Sequence, residues 1–355
     1  MPDFLIGDTP VGDGHPVYFV ADISANHDGS LDRAKELIHL AAEAGASAAK
    51  FQNFRAKHIV SDYGFRALGS QVGHQAAWKR SVFEVYEAAA LPWEWTPVLR
   101  ETCEQAGIEY FSAPYDLEAV DMLDEWMRVY KVGSGDIAWR EMLEAVARKG
   151  KPVLLATGAS DIGEVQRAVD VVLALNPHLC LMQCNTNYTG SEGNFAHVHL
   201  NALTTFRTMY PEVVLGLSDH TRGDTAVLGA VALGARVIEK HFTDDNTRTG
   251  PDHPFSMTPE SWSAMVHRVR DLEAALGSHR KFVTPNEAET VVVQRRGVRA
   301  TRDLVVGAKL TRADIEPLRP APAGCIEPWD LDRVVGHALA RDVVAGACIM
   351  LEDLG

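Results

Sequence analysis

Short apolar runs alternate along most of the chain with segments whose apolar positions recur at helical spacing. Residues 17–23, 46–51, 108–113, 129–132, 152–156, 179–184, 213–217 and 236–241 read as strands. Helical spacing is found at 31–44, 93–106, 117–126, 140–148, 162–174, 202–209, 224–233 and 259–276. In the first of these, Leu31, Ala34, Leu37, Ile38 and Ala41 share one face, and Gly45 ends it. About eight strand–helix units in roughly 265 residues predict a (β/α)8 TIM barrel. An open, doubly wound sheet is the competing architecture, but it collects its ligand at one switch point. Here polar signatures follow nearly every strand. The polar stretch 53–79, with Tyr63 and Phe65, is too long for a plain connection and reads as a functional loop.

Past residue 277 the pattern changes. A polar, then Val-rich stretch runs to 293, followed by short β-branched pieces at 297–300, 340–343 and 348–351 between Pro and Gly turns. The organisation read from this is a barrel at 1–280, a linker at 281–294 and a small β-rich domain at 295–355. So small a core is expected to pack on the barrel or on a second subunit.

Composition narrows the class. Apolar content of 46% and charged content of 23% are those of a globular protein. No apolar window is long enough to span a bilayer, and no basic-then-apolar leader opens the chain, so a cytoplasmic, membrane-free protein is expected. A net charge of −14 disfavours nucleic acid. The five cysteines form no Cys-x-x-Cys and are expected to be reduced, with Cys180 and Cys184 as core packing.

Residues at the carboxyl ends of barrel strands face the active site. Here they are Asp22, Asn26 and His27, then Lys50 and Gln52, Ser112, Lys131 and Ser134, and Thr157. Asn185, Thr186, Asn187 and Tyr188 follow, then Ser218 and His220, and finally His241. Two buried lysines among hydroxyls and amides suit a multiply charged anion. The alternative is a lysine paired with a barrel carboxylate. Lys131-Val132-Gly133-Ser134-Gly135 has the glycines that let backbone N–H groups approach phosphate. A single histidine after a strand is as a rule a hydrogen-bonded loop residue. The matched positions of His220 and His241, on adjacent strands, instead suggest two ligands of a divalent cation with an open coordination sphere. Asp22 and Asp252 are the carboxylates nearest that pair by position.

Taken together, Asp22-Ile23-Ser24-Ala25-Asn26-His27, Ala49-Lys50-Phe51-Gln52 and Tyr130 to Asp136 resemble the sialic acid synthase family, which includes pseudaminic and legionaminic acid synthases. So do Gly216 to Thr221, Glu239 to Thr243 and Gly250-Pro251-Asp252. The resemblance covers essentially the whole chain and implies a barrel followed by an antifreeze-like (SAF) domain, in a domain-swapped homodimer. It implies condensation of phosphoenolpyruvate with an N-acylated aldose, such as N-acetylmannosamine or a 2,4-diacetamido-6-deoxyhexose, with release of phosphate. His220 and His241 would hold Mn2+, with Mg2+ or Co2+ as alternatives. Lys50, Gln52, Ser112, Lys131, Ser134, Thr186 and Ser218 would bind the donor. Asp136, Tyr188, Asp252 and, from the partner, Arg319 would touch the sugar. Asp22, Lys50, Lys131 and Asp252 would be the catalytic groups. The chain departs from the family pattern at Asp22, where glutamate is usual, at Ala113, where a hydroxyl is common, and at Thr186, a common Asn position. Competing functions are a divalent-metal aldolase or 3-deoxy-ulosonate synthase using another aldose, and a non-catalytic sugar-binding protein.

Overall fold

The computed structural model of the chain describes residues 3–70, 75–76 and 78–355. The chain separates into two units, Met1–Gly277 and Ser278–Gly355. In the first, after a hairpin of β1 (Asp3–Ile6) and β2 (Thr9–Gly12), eight strands form one parallel sheet. They are β3 (Tyr18–Asp22), β4 (Ala48–Asn53), β5 (Glu109–Pro114), β6 (Tyr130–Val132), β7 (Val153–Ala156), β8 (Leu179–Cys184), β9 (Val214–Asp219) and β10 (Ala235–His241). β10 pairs with β3, and β5 lies beside β6, so the sheet curls into the nearly closed barrel that the pattern predicts. Strands β3, β8 and β9 are buried at every position because helices cover their outer face and side chains fill the inner one.

In several helices an apolar stripe and a side-chain cap coincide. Ser30 accepts from Arg33 N at the start of Leu31–Glu43, and Leu37, Ile38 and Ala41 on its inner face are fully buried. Thr258, followed by Pro259, opens the last barrel helix, Pro259–Leu276.

Three features differ from the sequence reading. Phe4, Ile6 and Val11 of the hairpin join the barrel core, and just beyond it Asp13 binds Arg207 at 2.8 Å and Arg236 at 3.8 Å, near the amino-terminal end of β10. The stretch 53–79 contains two short helices (Ala56–Ile59, Asp62–Ala67), and Val82–Ala89 follows under a Ser81/Glu84 capping box. Residues 71–74 and 77 of that stretch lie outside the described residues.

The second unit contains β11 (Gly297–Ala300) paired antiparallel with β12 (Ile315–Leu318), around a core that includes Val298, Leu310, Ile315 and Ile349. The pieces at 340–343 and 348–351 contribute single bridges, not strands. Residues read as linker belong to this unit and include the helix Ala288–Gln294, seeded by the Thr284/Glu287 capping box just before it. Two cysteines correct the expectation of reduced thiols. The bridges Cys325↔Met350 and Arg299↔Cys348 bring Cys325 and Cys348 to a Cα separation of 5.6 Å, where they form a disulfide. Cys103, Cys180 and Cys184 are free and buried. Among the described residues no helix is long and apolar enough to cross a membrane.

Candidate active site

Strand alternation assigns the charges to two sides of the wall. On β10, Glu239 and His241 point into the barrel. Lys240 points outward to Asp219 Oδ2 at 2.5 Å and Thr221 O at 2.7 Å. Inside, Lys50 Nζ lies 2.7 Å from Asp22 Oδ2 and 3.8 Å from Glu239 Oε1, and Lys131 Nζ lies 3.3 Å from the same Glu239 oxygen. Ser218 Oγ donates to that oxygen at 3.1 Å. Each lysine is buried and paired with a barrel carboxylate, which is the alternative reading of these residues. Burial opposes the charge on Lys50, but Asp22 and Glu239 outweigh it and hold the ammonium above its usual range. Burial likewise opposes the charge on Glu239, and Lys131 and Lys50 overcome it, so the carboxylate stays ionised. Two cations and two anions make this cluster formally neutral.

Beside the lysines is a hydroxyl-lined seat. Ser134 Oγ accepts from Gly158 N at 3.0 Å. A Cβ on Gly158 would stand 2.6 Å from Thr186 Oγ1 and 2.8 Å from Ser134 Oγ, so the seat exists because residue 158 has no side chain. Cys184 ends β8 next to Ser134 and Ser218, with its sulfur 3.9 Å from His220 Nδ1. Burial pushes its thiol up, so it lines the floor as a neutral group.

His220 and His241 form the adjoining wall, ring centroids 5.5 Å apart. His220 Nδ1 donates to Asn185 O at 3.0 Å, which leaves Nε2 with the lone pair of a neutral imidazole. Burial, then the neighbouring His241, lowers its pKa to about 3, so it stays neutral across the physiological range. His241 Nε2 is 3.4 Å from Asp22 Oδ2, and its buried Nδ1 has no hydrogen-bond partner. Asp22 Oδ1 and Glu239 Oε2 are also buried and unpartnered. Two histidine nitrogens beside such oxygens are the kind of donor set that could hold a hard-to-borderline divalent cation. Among the described residues no cluster of three or more such side chains is assembled, so water and substrate would complete the shell.

Above this wall opens a cavity of about 120 Å³. Phe54, Trp78, Tyr86, Tyr115 and Tyr188 supply an aromatic side, and Ser24, Gln52, His241 and Asp252 a polar one. Tyr188 stands edge-on to His220 at 4.3 Å. Asp136, beyond Lys131, is pushed up to about 6 by burial, against the pull of that lysine.

Other expected residues have different work. Ser112 is corrected: it lies in register with Phe51, out of phase with Lys50 and Gln52, and donates to Asn53 Oδ1 at 2.6 Å. Ala113, in register with Gln52, takes the inward position. Thr157 Oγ1 bonds Met182 O at 2.9 Å. Asn26 Nδ2 ties the first loop to Phe242 O and Ser256 Oγ. His27 stacks edge-on against Trp95, and burial lowers its pKa to about 4. Arg319 is exposed in the second unit, directly after β12. The sequence reading passed over Glu239, Gly158, Ser24 and the buried His253. The last bridges Thr243 Oγ1 at 2.7 Å and Asp28 Oδ1 at 3.0 Å. Glu239 was readable as the one acidic residue of a buried strand, a position that requires a cationic partner.

A parallel barrel with buried lysines, two adjacent histidines and an aromatic cavity at its strand ends has the layout of an enzyme. The chain belongs to the NeuB family, whose model matches residues 37–281, and a SAF domain matches residues 295–355. It is 34% identical to the N,N'-diacetyllegionaminic acid synthase of Legionella pneumophila, over 98% of this chain and 97% of that one. It is 31% identical to the human N-acetylneuraminate-9-phosphate synthase, over 96% and 94%. Among solved structures, the N-acetylneuraminic acid (sialic acid) synthetase of Leptospira borgpetersenii, in complex with citrate, superposes with a TM-score of 0.71 at 28% identity. It covers 81% of this chain and 95% of that one.

Proposed function

We propose that this enzyme condenses phosphoenolpyruvate with an unphosphorylated N-acylated aldose, N-acetylmannosamine or a 2,4-diacetamido-6-deoxyhexose, to give a nonulosonic acid and inorganic phosphate. The observation that carries the reading is the pair of buried lysines at the strand ends, together with the Ser134–Gly158–Thr186 seat and the adjacent His220 and His241. Lys50, Lys131, Ser134, Thr186, Ser218 and Gln52 hold the donor's phosphate and carboxylate. Asp136, Tyr188 and Asp252 face the acceptor, and Arg319 reaches it from the partner of a domain-swapped dimer. Carbon 3 of the enol attacks the open-chain aldehyde carbon, whose oxygen gains the electron pair. Water then adds at carbon 2 and the phosphate leaves. Asp22, held by Lys50 through Oδ2, keeps Oδ1 available to take a proton from that water. A divalent cation on His220 and His241, Mn2+ in first place and Mg2+ or Co2+ next, would supply Lewis-acid polarisation of the aldehyde.

A phosphorylated acceptor fits less well. Among the described residues lining the cavity there is no Lys or Arg, while Asp252 adds negative charge. The decisive assay is phosphate release from phosphoenolpyruvate with a panel of acylated, phosphorylated and non-acylated aldoses, with and without Mn2+. Release with an acylated aldose, dependent on the metal, supports the proposal; none with any aldose sinks it.

A further inference from the structure

Ser24 follows β3 with φ at +47°, in the left-handed region. A residue with a Cβ is strained there, whereas glycine adopts the conformation freely. The side chain is buried, and its hydroxyl donates to Asp252 Oδ2 at 2.7 Å. Ala25 N, brought round by the same turn, adds a longer bond of 3.4 Å to that oxygen. The backbone of Asp252 is fixed separately, its carbonyl accepting from Ser256 Oγ at 2.7 Å. One carboxylate oxygen is thus immobilised by the first loop, and Oδ1 has no hydrogen-bond partner among the described residues. Both Ser24 and Asp252 line the aromatic cavity. A strained serine where glycine would be free indicates that the hydroxyl, not the turn, is what the position supplies.

We propose that Ser24 is a positioning residue for acceptor recognition: it locks Asp252 Oδ2 so that Oδ1 is presented to a hydroxyl of the sugar. The inference rests on the reading of the cavity as the acceptor site. It is tested in the full-length enzyme with Ser24→Gly and Ser24→Ala, using the aldose that the wild type turns over best. A hydrogen bond to a charged group is lost in both, so the acceptor KM rises about tenfold or more in each. The phosphoenolpyruvate KM stays within about twofold, since the donor's lysines and seat are untouched. Ser24→Gly loses the same hydrogen bond as Ser24→Ala but relieves the backbone, so it melts above Ser24→Ala. A purely structural role would make activity follow melting temperature. An unchanged acceptor KM in Ser24→Gly therefore overturns the inference. In an Asp252→Ala background, Ser24→Gly should have no further effect, and additive losses would also overturn it. If the wild type turns over no aldose, the synthase reading falls and takes this inference with it. Turnover with an indifferent Ser24→Gly removes the inference alone.

Discussion

Replacing Glu239 with glutamine tests whether the two lysines are a balanced pair awaiting an anion. Glu239 Oε1 lies 3.3 Å from Lys131 Nζ and 3.8 Å from Lys50 Nζ. At an effective dielectric constant of about 20, each attraction is worth about 4–5 kcal/mol before desolvation. Lys50 keeps Asp22 at 2.7 Å, but Lys131 has no other carboxylate within salt-bridge distance among the described residues. Removing one partner of a buried pair costs about 3–5 kcal/mol because the other charge is left uncompensated. With roughly 2–4 °C lost per kcal/mol for a unit of this size, Glu239→Gln should melt about 10 °C below the wild type. The same change removes the anion that competes with substrate for Lys131. Phosphoenolpyruvate, or inorganic phosphate as a simpler probe, should therefore raise the melting temperature more in the variant than in the wild type. Differential scanning calorimetry across a phosphate titration reads both effects. Melting within about 2 °C of the wild type, or equal anion-induced shifts in the two proteins, would refute the balance, since measured surface-like effects rarely exceed that.

Gly158→Ala places a methyl against Thr186 Oγ1 and Ser134 Oγ, so the phosphoenolpyruvate KM should rise more than about tenfold, with the acceptor KM little changed. An unchanged donor KM would remove Gly158 from the seat. His241→Ala should lose stoichiometric Mn2+, read by electron paramagnetic resonance, and lose turnover while circular dichroism shows an intact barrel; retained metal would place the cation elsewhere. Asp136 is held up at about 6, so the folded state keeps its proton longer than the unfolded chain. Its contribution to stability therefore falls as pH rises from the ordinary carboxylate range through about 6. Asp136→Asn should melt higher than the wild type at pH 7.5, converge with it near pH 4, and abolish any limb near pH 6 in the acceptor kcat/KM profile. A limb that survives in the variant belongs to another group.

The barrel was legible because each strand is a short buried run and the helices between them carry apolar residues at helical spacing. What was not legible is phase. A strand buried on both faces has no polar–apolar alternation, so nothing in Phe111-Ser112-Ala113 says which residue faces inward. The hydroxyl of Ser112 was the chemically attractive choice, and register with Gln52 gives the place to Ala113. His220, His241 and the two lysines escaped this difficulty because charged or ligating groups are few, and their spacing already fixes the face. The helix Val82–Ala89 was missed although Ser81 and Glu84 spell a capping box and Val82, Val85, Tyr86 and Ala89 recur at helical spacing. Ser24 was invisible for a different reason: a left-handed φ on a residue other than glycine has no signature in the chain. The Cys325–Cys348 pairing depends on two isolated bridges that no spacing rule describes.

Lys240, bonded outward to Asp219 and Thr221 while its neighbours Glu239 and His241 face inward, gives β10 an alternation written in charge instead of hydrophobicity. In a parallel sheet apolar on both faces, a slip of one residue would cost little by packing alone. Here it would turn Lys240 toward Lys50 and Lys131, move Glu239 among the helices, and leave Asp219 buried without its cation. The two ion systems, back to back across one strand, act as a key that admits a single register. They set His241 beside Asp22 and Lys50 before any substrate arrives.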